Sequence, residues 1–285
     1  MKIKQIPEDF IVEEIMDLKI ELGPYHYYIL TKKNRNTLDI IQEIKKRIGD
    51  VGFAGIKDKH ALTSQYISVK NKIFFSLDNA TFTYLGTGKE WVYMGKLTGN
   101  KFTITVRDLE KKLKPVKKIV NYYGEQRFGG KNAEIGKMLL QKNFKYACDA
   151  LHLDVKNNDA VGALKKQGIH KLKFYVHAYQ SSLWNILAIK SKKKVIPILG
   201  YLTEGHAYDT LMKKERIKKE DFLIRSIPEI SSEGGKRERM ILIKKFKTME
   251  FTDDELNPGK KKQVVQFFLP KGAYATIALD NLLTV

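Results

Sequence analysis

One nine-residue stretch, "KFTITVRDL" at positions 101–109, constrains the fold more than any other part of the chain. Phe102, Ile104 and Val106 occupy every second position, with polar residues between them. Because successive side chains of a strand point to opposite faces, this alternation predicts a strand with one apolar face. Such a strand belongs in a sheet whose apolar side is covered by other elements.

The other predicted elements follow one another in an irregular order. Strands are predicted at 8–16, at 25–31, in "QYISVKN", and twice in "QVVQFFLPKGAYATIAL", around a Pro-Lys-Gly turn. Helices are predicted at 36–49, at 132–150 and at 177–190, the first with Asn36 or Thr37 as its cap. This order predicts an α+β fold, with a mixed sheet and helices on one side of it, and not a regular alternation of strands and helices.

The character of the sequence changes between about Ser191 and Met249. Segments such as "SKKKV", "MKKERIKK" and "IKKFK" are dense in charge, and turn residues cluster in "SSEGG". We therefore predict a small inserted subdomain at 191–249, which interrupts a larger domain formed by 1–190 and 250–285.

The balance of charges is the strongest global indication of a partner. Lys and Arg number 52 against 32 Asp and Glu, which gives a formal net charge of +20. So large an excess favours a polyanionic partner, most simply a nucleic acid. A membrane surface is the alternative, but it requires a basic amphipathic helix that the sequence does not show clearly. A general enrichment in lysine is a third explanation.

Several classes of protein are disfavoured. The chain has one cysteine, Cys148, so we expect no intrachain disulfide and a reducing, cytoplasmic compartment. No segment has the apolar run of a secretory signal or a membrane span, so neither is expected. The six histidines lack metal-ligand spacing, and no metal site is expected. Phosphate-loop, dinucleotide and serine-elbow motifs are missing from the sequence.

Residues 52–69, "GFAGIKDKHALTSQYISV", place Asp58 between Lys57 and Lys59, after a Gly-rich turn. By itself this pattern is typical of a solvated loop of mixed charge. It also suits an ionised carboxylate in a site for an anionic ligand, because flanking cations favour the charged form of the acid. The local sequence leaves both interpretations open.

Several stretches, in order along the chain, resemble the TruD family of tRNA pseudouridine synthases. They are "KQIPEDFIVEE", "GFAGIKDKHALTSQ", "LTGNKFTITVRDL", "NYYGEQRFGGKN", "HAYQSSLWN" and "FFLPKGAYAT", and they run from about residue 4 to 281. The Asp-Lys stretch and "NYYGEQRFG" are specific in combination. The predicted insertion matches weakly, mainly in "GGKRE".

The resemblance implies an enzyme that isomerises uridine to pseudouridine within RNA. In this family the N1–C1′ glycosidic bond breaks, the uracil turns, and a C5–C1′ bond forms, with no cofactor or metal. The implied substrate is tRNA, with other RNAs open, and the implied target is uridine 13 of the D arm. The implied fold is a mixed, mostly antiparallel sheet flanked by helices. We expect a monomer without a membrane partner.

The resemblance also assigns roles to individual residues. Asp58 matches the essential aspartate, which either attacks the sugar or abstracts a proton from it, and Lys4 matches a basic residue that pairs with it. Contacts with the substrate are implied for Phe10, Asn121, Tyr123, Tyr274 and Arg127, with Lys131 as a further phosphate contact.

Most of these assignments have a structural alternative. The alternatives are a solvated side chain for Lys4, a core position for Phe10, a turn cap for Asn121, a core aromatic for Tyr123 and an internal tether for Arg127.

Two features depart from the family pattern. Tyr123 stands where the best-known members have Phe, and we expect the change to be tolerated because the aromatic face is kept. The insertion is shorter than usual, which bears on substrate range more than on activity. Two other functions stay open: an RNA-binding protein that has lost catalysis, and a nuclease, which usually needs a metal-binding carboxylate cluster or a histidine pair.

Overall fold

A computed structural model describes residues 1–283, which form twelve strands and seven α-helices. The strands are β1 (Phe10–Ile15), β2 (Tyr25–Lys33), β3 (Val51–Phe53), β4 (Leu62–Val69), β5 (Ala80–Gly88), β6 (Gly99–Leu109), β7 (Lys118–Val120), β8 (Val195–Ile198), β9 (Gly235–Glu238), β10 (Met240–Leu242), β11 (Lys244–Asp253) and β12 (Lys261–Pro270). The helices are α1 (Thr37–Ile48), α2 (Asn132–Leu140), α3 (Phe144–Ala150), α4 (Ala160–Lys165), α5 (Ile169–Lys190), α6 (Asp209–Glu215) and α7 (Ala275–Leu283).

The chain divides into two compact units. The first is formed by Met1–Ile119 together with the chain from Leu242 on, and the second by Val120–Ile241. An eight-stranded sheet forms the centre of the first unit, in the order β11-β12-β6-β1-β4-β2-β5, with β3 paired to β4 beside this path. β1 and β4 are parallel, and the other neighbouring pairs of this sheet are antiparallel. The prediction of a mixed, mostly antiparallel sheet is confirmed.

The alternation in β6 produces two different faces of the sheet. Ile104 is fully buried, whereas its neighbours Thr103 and Thr105 are half-buried on the opposite face. Ile104 pairs with Phe10 of β1 and with Val265 of β12, and both of these are buried as well. One apolar face therefore continues across the central strands.

Helix α1 covers part of this sheet. Ile40, Ile41 and Ile44 recur at helical spacing and form one buried cluster with side chains of β2 and β4. Asn36 caps the helix, since its side chain accepts a hydrogen bond from the N–H two residues later at 3.1 Å. Gly49 ends the helix with a φ of 94°, which glycine adopts without strain. The predicted helix and its cap are confirmed.

The second unit is mainly helical. Helix α5 is 22 residues long and buries Leu172, Val176, Tyr179 and Leu183 along one side. These side chains share a core with buried residues of α2, α3 and α4, and Cys148 lies in the same core. A two-stranded sheet of β8 and β9 belongs to this unit as well.

The segment after the Pro-Lys-Gly turn is a helix, α7, where the sequence analysis predicted a strand. Ala275, Ala278, Leu279 and Leu282 are buried. Their spacing of three and four residues fits one face of a helix, and alanine and leucine are strong helix formers. The strand prediction was therefore wrong, and the apolar spacing in "ATIALDNLL" carried the correct signal.

Two predicted helices have different limits in the structure. The helix predicted at 132–150 is interrupted between α2 and α3, where Lys142 adopts a left-handed backbone with φ of 61°. A residue in that region cannot continue a right-handed helix. Helix α5 begins at Ile169, well before the predicted start, directly after Gly168 with its φ of 90°.

The compact units do not follow the limits of the predicted insertion. The second unit starts at Val120, and the predicted end of the insertion at 249 falls inside β11, which pairs with β12 in the sheet of the first unit. An insertion at 191–249 stays a prediction.

Among residues 1–283, no helix combines the length and apolarity needed to cross a lipid bilayer.

Candidate active site

The loop between β3 and β4 carries Asp58 and fixes both oxygens of its carboxylate. Oδ2 forms an ion pair with the ammonium of Lys4, and Oδ1 accepts a hydrogen bond from the N–H of His60 at 3.0 Å. The side chains of Lys4 and Asp58 are 19% and 17% exposed, so the pair is largely shielded from solvent but still accessible. A cation and an N–H donor both favour the ionised form of a carboxyl group.

Lys4 lies between this carboxylate and the ring of Phe10. Its backbone has a φ of 59°, a left-handed conformation that lysine seldom adopts. Its ammonium is 4.2 Å from the centre of the Phe10 ring, a cation–π distance. Phe10 is only 4% exposed and packs edge-on against Phe102. The structure thus places Phe10 in the core beside the ion pair, and its contact with the target base stays a prediction.

Lys57, the lysine before Asp58, turns into the protein. Its ammonium forms an ion pair with Glu14 and donates to Oδ1 of Asn100 at 2.8 Å. Burial lowers the pKa of Lys57, and the carboxylate of Glu14 opposes that shift. Lys59, on the other side, is exposed. Lys4 therefore forms the ion pair with Asp58, whereas Lys57, one of the two flanking lysines expected to hold Asp58 ionised, pairs with Glu14 instead.

Three buried side chains fix the backbone of the same loop. Gln65 donates through Nε2 to the carbonyl oxygen of Gly55 in the loop at 3.0 Å. Thr37 accepts a hydrogen bond from the N–H of Lys57 at 3.1 Å. Lys32 donates through Nζ to the carbonyl oxygen of Asp58 at 2.6 Å. Since all three belong to the core, the fold behind the loop determines the position of the carboxylate.

In the second unit, Asn121 is held by Arg237. Oδ1 of Asn121 accepts a hydrogen bond from the guanidinium at 2.8 Å, and the Asn121 carbonyl accepts two more at 2.9 and 3.0 Å. Nδ2 of Asn121 donates to the carbonyl of Glu238 at 3.1 Å. Both ends of the amide are engaged within the unit, and Asn121 is 8% exposed. Its contact with a uracil stays a prediction.

Tyr123 lies under the same arginine. Cζ of Arg237 is 3.9 Å from the centre of the Tyr123 ring, and Trp184 packs against that ring edge-on, with 5.6 Å between ring centres. Asn185 brackets the backbone of Tyr123: it accepts from the N–H and donates to the carbonyl, both at 2.9 Å. The half-buried ring is thus rigidly held, as a stacking surface requires.

The remaining predicted contacts have different surroundings. Arg127 donates through Nε to Oγ of Ser181 at 3.3 Å, and its guanidinium lies 4.9 Å from the ring centre of Phe174. These contacts match the internal tether that the sequence left open for Arg127, and a phosphate contact stays a prediction. Lys131 is exposed at the start of α2. Tyr274, in the first unit, is half-buried just before α7.

Sequence reasoning missed Glu14, Lys32 and Arg237. Glu14 follows Phe10 and Val12 at every second position of β1, on the buried face, and Lys32 likewise ends a buried series in β2. A charged residue at a buried position of an alternating strand indicates an internal partner. Arg237 lies in "GGKRE", the part of the predicted insertion that resembled the family most.

The Asp58–Lys4 pair supplies a carboxylate oxygen beside a cation. Such an oxygen can attack an electrophilic carbon or accept a proton. Within residues 1–283, no three His, Cys, Asp or Glu side chains are grouped so as to hold a metal ion.

Comparison with known proteins gives one family. The family model described as tRNA pseudouridine synthase D (TruD) matches residues 1–157 and 199–282. All the predicted site residues, and Arg237, lie within the matched ranges, whereas α5 lies outside them.

The similar proteins include two curated relatives and one solved structure. A relative from Methanocaldococcus jannaschii, named "Probable tRNA pseudouridine synthase D 2", is 32% identical, with 99% of this chain and 91% of the relative covered. A relative from Aquifex aeolicus, named "tRNA pseudouridine synthase D", is 40% identical over 52% of this chain and 45% of the relative. A crystal structure that carries the TruD name, from Methanosarcina mazei, aligns with a TM-score of 0.72 and 25% identity, over 99% of this chain and 93% of that chain.

The alignment with the M. jannaschii relative is longer than the chain itself. It extends over 386 positions, whereas the chain has 285 residues, so the relative has roughly a hundred residues without a counterpart here. This chain is therefore about a hundred residues shorter than the aligned part of the relative.

Proposed function

The chain belongs to the tRNA pseudouridine synthase D (TruD) family, and on that basis we propose that it converts a uridine of tRNA into pseudouridine, with Asp58 as the essential carboxylate. The chain is a pseudouridine synthase of this family and therefore an isomerase. The formal charge of +20 supports a polyanionic substrate.

The reaction changes the base atom through which the uracil is bonded to the ribose. The N1–C1′ bond breaks, the uracil turns, C5 bonds to C1′, C5 loses its proton, and N1 gains one. An oxygen of Asp58 suits either of two first steps, attack on C1′ or removal of a proton from the sugar. Either step requires the target nucleotide to leave the base stack, which costs a few kcal/mol.

The observation that carries the proposal is the ion pair between Lys4 and Asp58. The cation holds Oδ2, the N–H of His60 holds Oδ1, and the loop backbone is fixed from behind. A carboxylate oriented in this way is pre-organised before the substrate binds, which lowers the free energy of activation. Lys4 also balances the negative charge of the Asp58 carboxylate.

The substrate contacts are proposals of the same kind. Tyr123 stacks on the displaced uracil, while Phe10 and Tyr274 contribute to the base pocket. Asn121 and Arg127 have internal partners. We therefore propose that their main role is to hold the substrate-binding segments in place, and that direct contact with the substrate is secondary. The proposed target is uridine 13 of the tRNA D arm.

The decisive experiment uses the Asp58→Asn variant, which keeps the shape of the side chain and removes its charge. Release of tritium from 5-labelled uridine in tRNA should be abolished, while tRNA binding is nearly unchanged. Asp50→Asn is the matched control, since Asp50 is 74% exposed in an ion pair with Lys45. Residual turnover of Asp58→Asn within about tenfold of the parent would contradict the proposal, because loss of an essential group costs far more than ~1.4 kcal/mol.

Two further measurements test the details. Mapping of pseudouridine in tRNA from cells with and without the chain tests the proposed position, and a change at another uridine would replace it. Size-exclusion chromatography with light scattering tests the proposed monomer, and cell fractionation tests the proposed cytoplasmic location.

A further inference from the structure

We propose that Lys32 is a positioning residue for Asp58: its buried ammonium fixes the peptide carbonyl of Asp58 and thereby the direction of the carboxylate. The inference rests on the proposed function, because it takes Asp58 as the essential acid. It adds a residue that neither the sequence motifs nor the predicted site contained.

The geometry places the Lys32 ammonium under the loop. Lys32 lies in β2, opposite Thr63 of β4 and Ala80 of β5, and only 1% of the residue is exposed. Its Nζ donates to the Asp58 carbonyl oxygen at 2.6 Å. The side chain therefore reaches from the core of the sheet to the residue that carries the proposed chemistry.

A buried ammonium is costly unless something offsets the loss of hydration. The core position next along this face of β2 is Leu30, so an apolar side chain would suit Lys32's place on packing grounds. The hydrogen bond to Asp58 is the contact that a leucine or methionine could not make. We therefore infer that the charge of Lys32 serves to hold the loop in place and does not serve to stabilise the sheet.

The charges that face Lys32 come from the same loop. Asp58 favours the protonated ammonium, and Lys57 disfavours it. Lys57 is in turn paired with Glu14, and Asp58 with Lys4. The neighbouring strands β4 and β5 contain no Lys, Arg, His, Asp or Glu. The charged residues of α1 lie on its exposed or half-exposed positions.

Burial lowers the pKa of Lys32 to about 8, with Asp58 acting in the opposite direction. The ammonium is therefore mostly protonated at neutral pH and loses its proton at mildly alkaline pH. The neutral amine is a weaker donor to the carbonyl and no longer balances the negative charge of the Asp58 carboxylate. The rate of isomerisation should then fall as the pH rises through about 8.

The test compares the parent chain with Lys32→Met, Lys32→Arg and Lys33→Met. Lys33 is the matched control because it is next in β2, points to the other side of the strand and pairs with Glu8 at a half-exposed position. Single-turnover rates of tritium release at saturating enzyme are measured from about pH 6 to pH 10, with tRNA affinity and unfolding by urea as checks.

We expect Lys32→Met to be roughly tenfold to a hundredfold slower than the parent at neutral pH, with tRNA affinity unchanged, as for a misplaced catalytic group. Its rate should lack the alkaline fall of the parent. Lys32→Arg, whose cation does not titrate in this range, should recover part of the rate and lack the alkaline fall that Lys32 causes. Lys33→Met should behave like the parent. Titration of the substrate is common to all four proteins, so it cancels in the comparison.

The inference is overturned if Lys32→Met retains the parent's rate within about threefold and the same alkaline fall. If Lys32→Met does not fold, Lys32→Arg decides, since an alkaline fall at the parent's pH would exclude the role of Lys32. Failure of the proposed function has a different signature, namely no tritium release by the parent or full activity of Asp58→Asn.

Discussion

The ammonium of Lys57 and the carboxylate of Glu14 form an ion pair whose side chains are 6% and 0% exposed. The second oxygen of Glu14 accepts a hydrogen bond from the N–H of Tyr66 at 3.2 Å, and Lys57 also donates to Asn100. This pair joins the C-terminal end of β1 to the loop that carries Asp58. We therefore expect the stability of the sheet and the position of the loop that carries Asp58 to depend on the same contact.

Glu14→Gln should destabilise the protein by about 3–5 kcal/mol, because it leaves the buried ammonium of Lys57 without a counter-charge. Unfolding by urea measures the loss. Glu13→Gln is the control: Glu13 is next in β1, 42% exposed, and pairs with Lys101, so its removal should cost less than ~1 kcal/mol. Replacement of Glu14 and Lys57 together by leucine and methionine should restore most of the stability. Equal losses in the two single variants would show that burial does not matter here.

Lys32 should make the stability of the parent depend on pH in a defined window. Its pKa is about 8 in the folded protein against an ordinary 10.5, so between these values the unfolded chain binds a proton that the folded chain does not. The parent should therefore gain about 3 kcal/mol of stability relative to Lys32→Met as the pH rises from 8 to 10.5. Urea unfolding of both proteins across this range is the measurement, and parallel curves would contradict the burial of the ammonium.

Arg237→Lys should loosen the segment that contains Asn121 and Tyr123, because an ammonium cannot reproduce the guanidinium's hydrogen bonds and its stacking on the ring. We expect a loss of ~1–3 kcal/mol in kcat/KM, about tenfold to a hundredfold. Arg239→Lys is the control, since Arg239 also donates to a backbone carbonyl, that of Ala188, at 2.9 Å. Equal losses in the two variants would count against a specific role of Arg237.

The ring of Tyr123, not its hydroxyl, should be the functional part of the side chain. Tyr123→Phe should keep most of the single-turnover rate, while Tyr123→Ala should lose a stacking contribution of ~1–3 kcal/mol. Melting temperatures of both variants show how much of the loss is structural. If Tyr123→Ala melts lower but retains its turnover per folded molecule, the ring is a core residue. If Tyr123→Phe is inactive but stable, the hydroxyl takes part in the chemistry.

The sequence predicted five of the eight strands of the main sheet because their signals are local, and it missed β3, β5 and β11. The alternation in β6 and the isoleucines and cap of α1 depend on the period of each element, and they are seen in the structure where they were expected. The prediction for the C-terminal segment was wrong because "GAYATIAL" closely follows the strand-like "QVVQFF". The change from a period of two to a helical period was overlooked. The break after α2 depends on the left-handed backbone of Lys142, and lysine is not a residue type that predicts this conformation.

The candidate site was predictable in its residues but not in its connections. Asp58 and Lys4 lie far apart in the sequence and were linked by resemblance alone, and the structure pairs them. The partner of Lys57 could not be inferred, because nothing in the sequence around a lysine beside an aspartate shows whether its side chain is buried or exposed. The contact of Arg237 with Asn121 joins segments more than a hundred residues apart, so only the folded chain reveals it.

The left-handed backbone of Lys4 has a consequence for the residue types that this position tolerates. A φ of 59° suits glycine or asparagine, and a lysine there gives up about 1–2 kcal/mol of conformational free energy. Replacement of Lys4 by glycine should relax this backbone strain and, in the same step, remove the ion pair with Asp58.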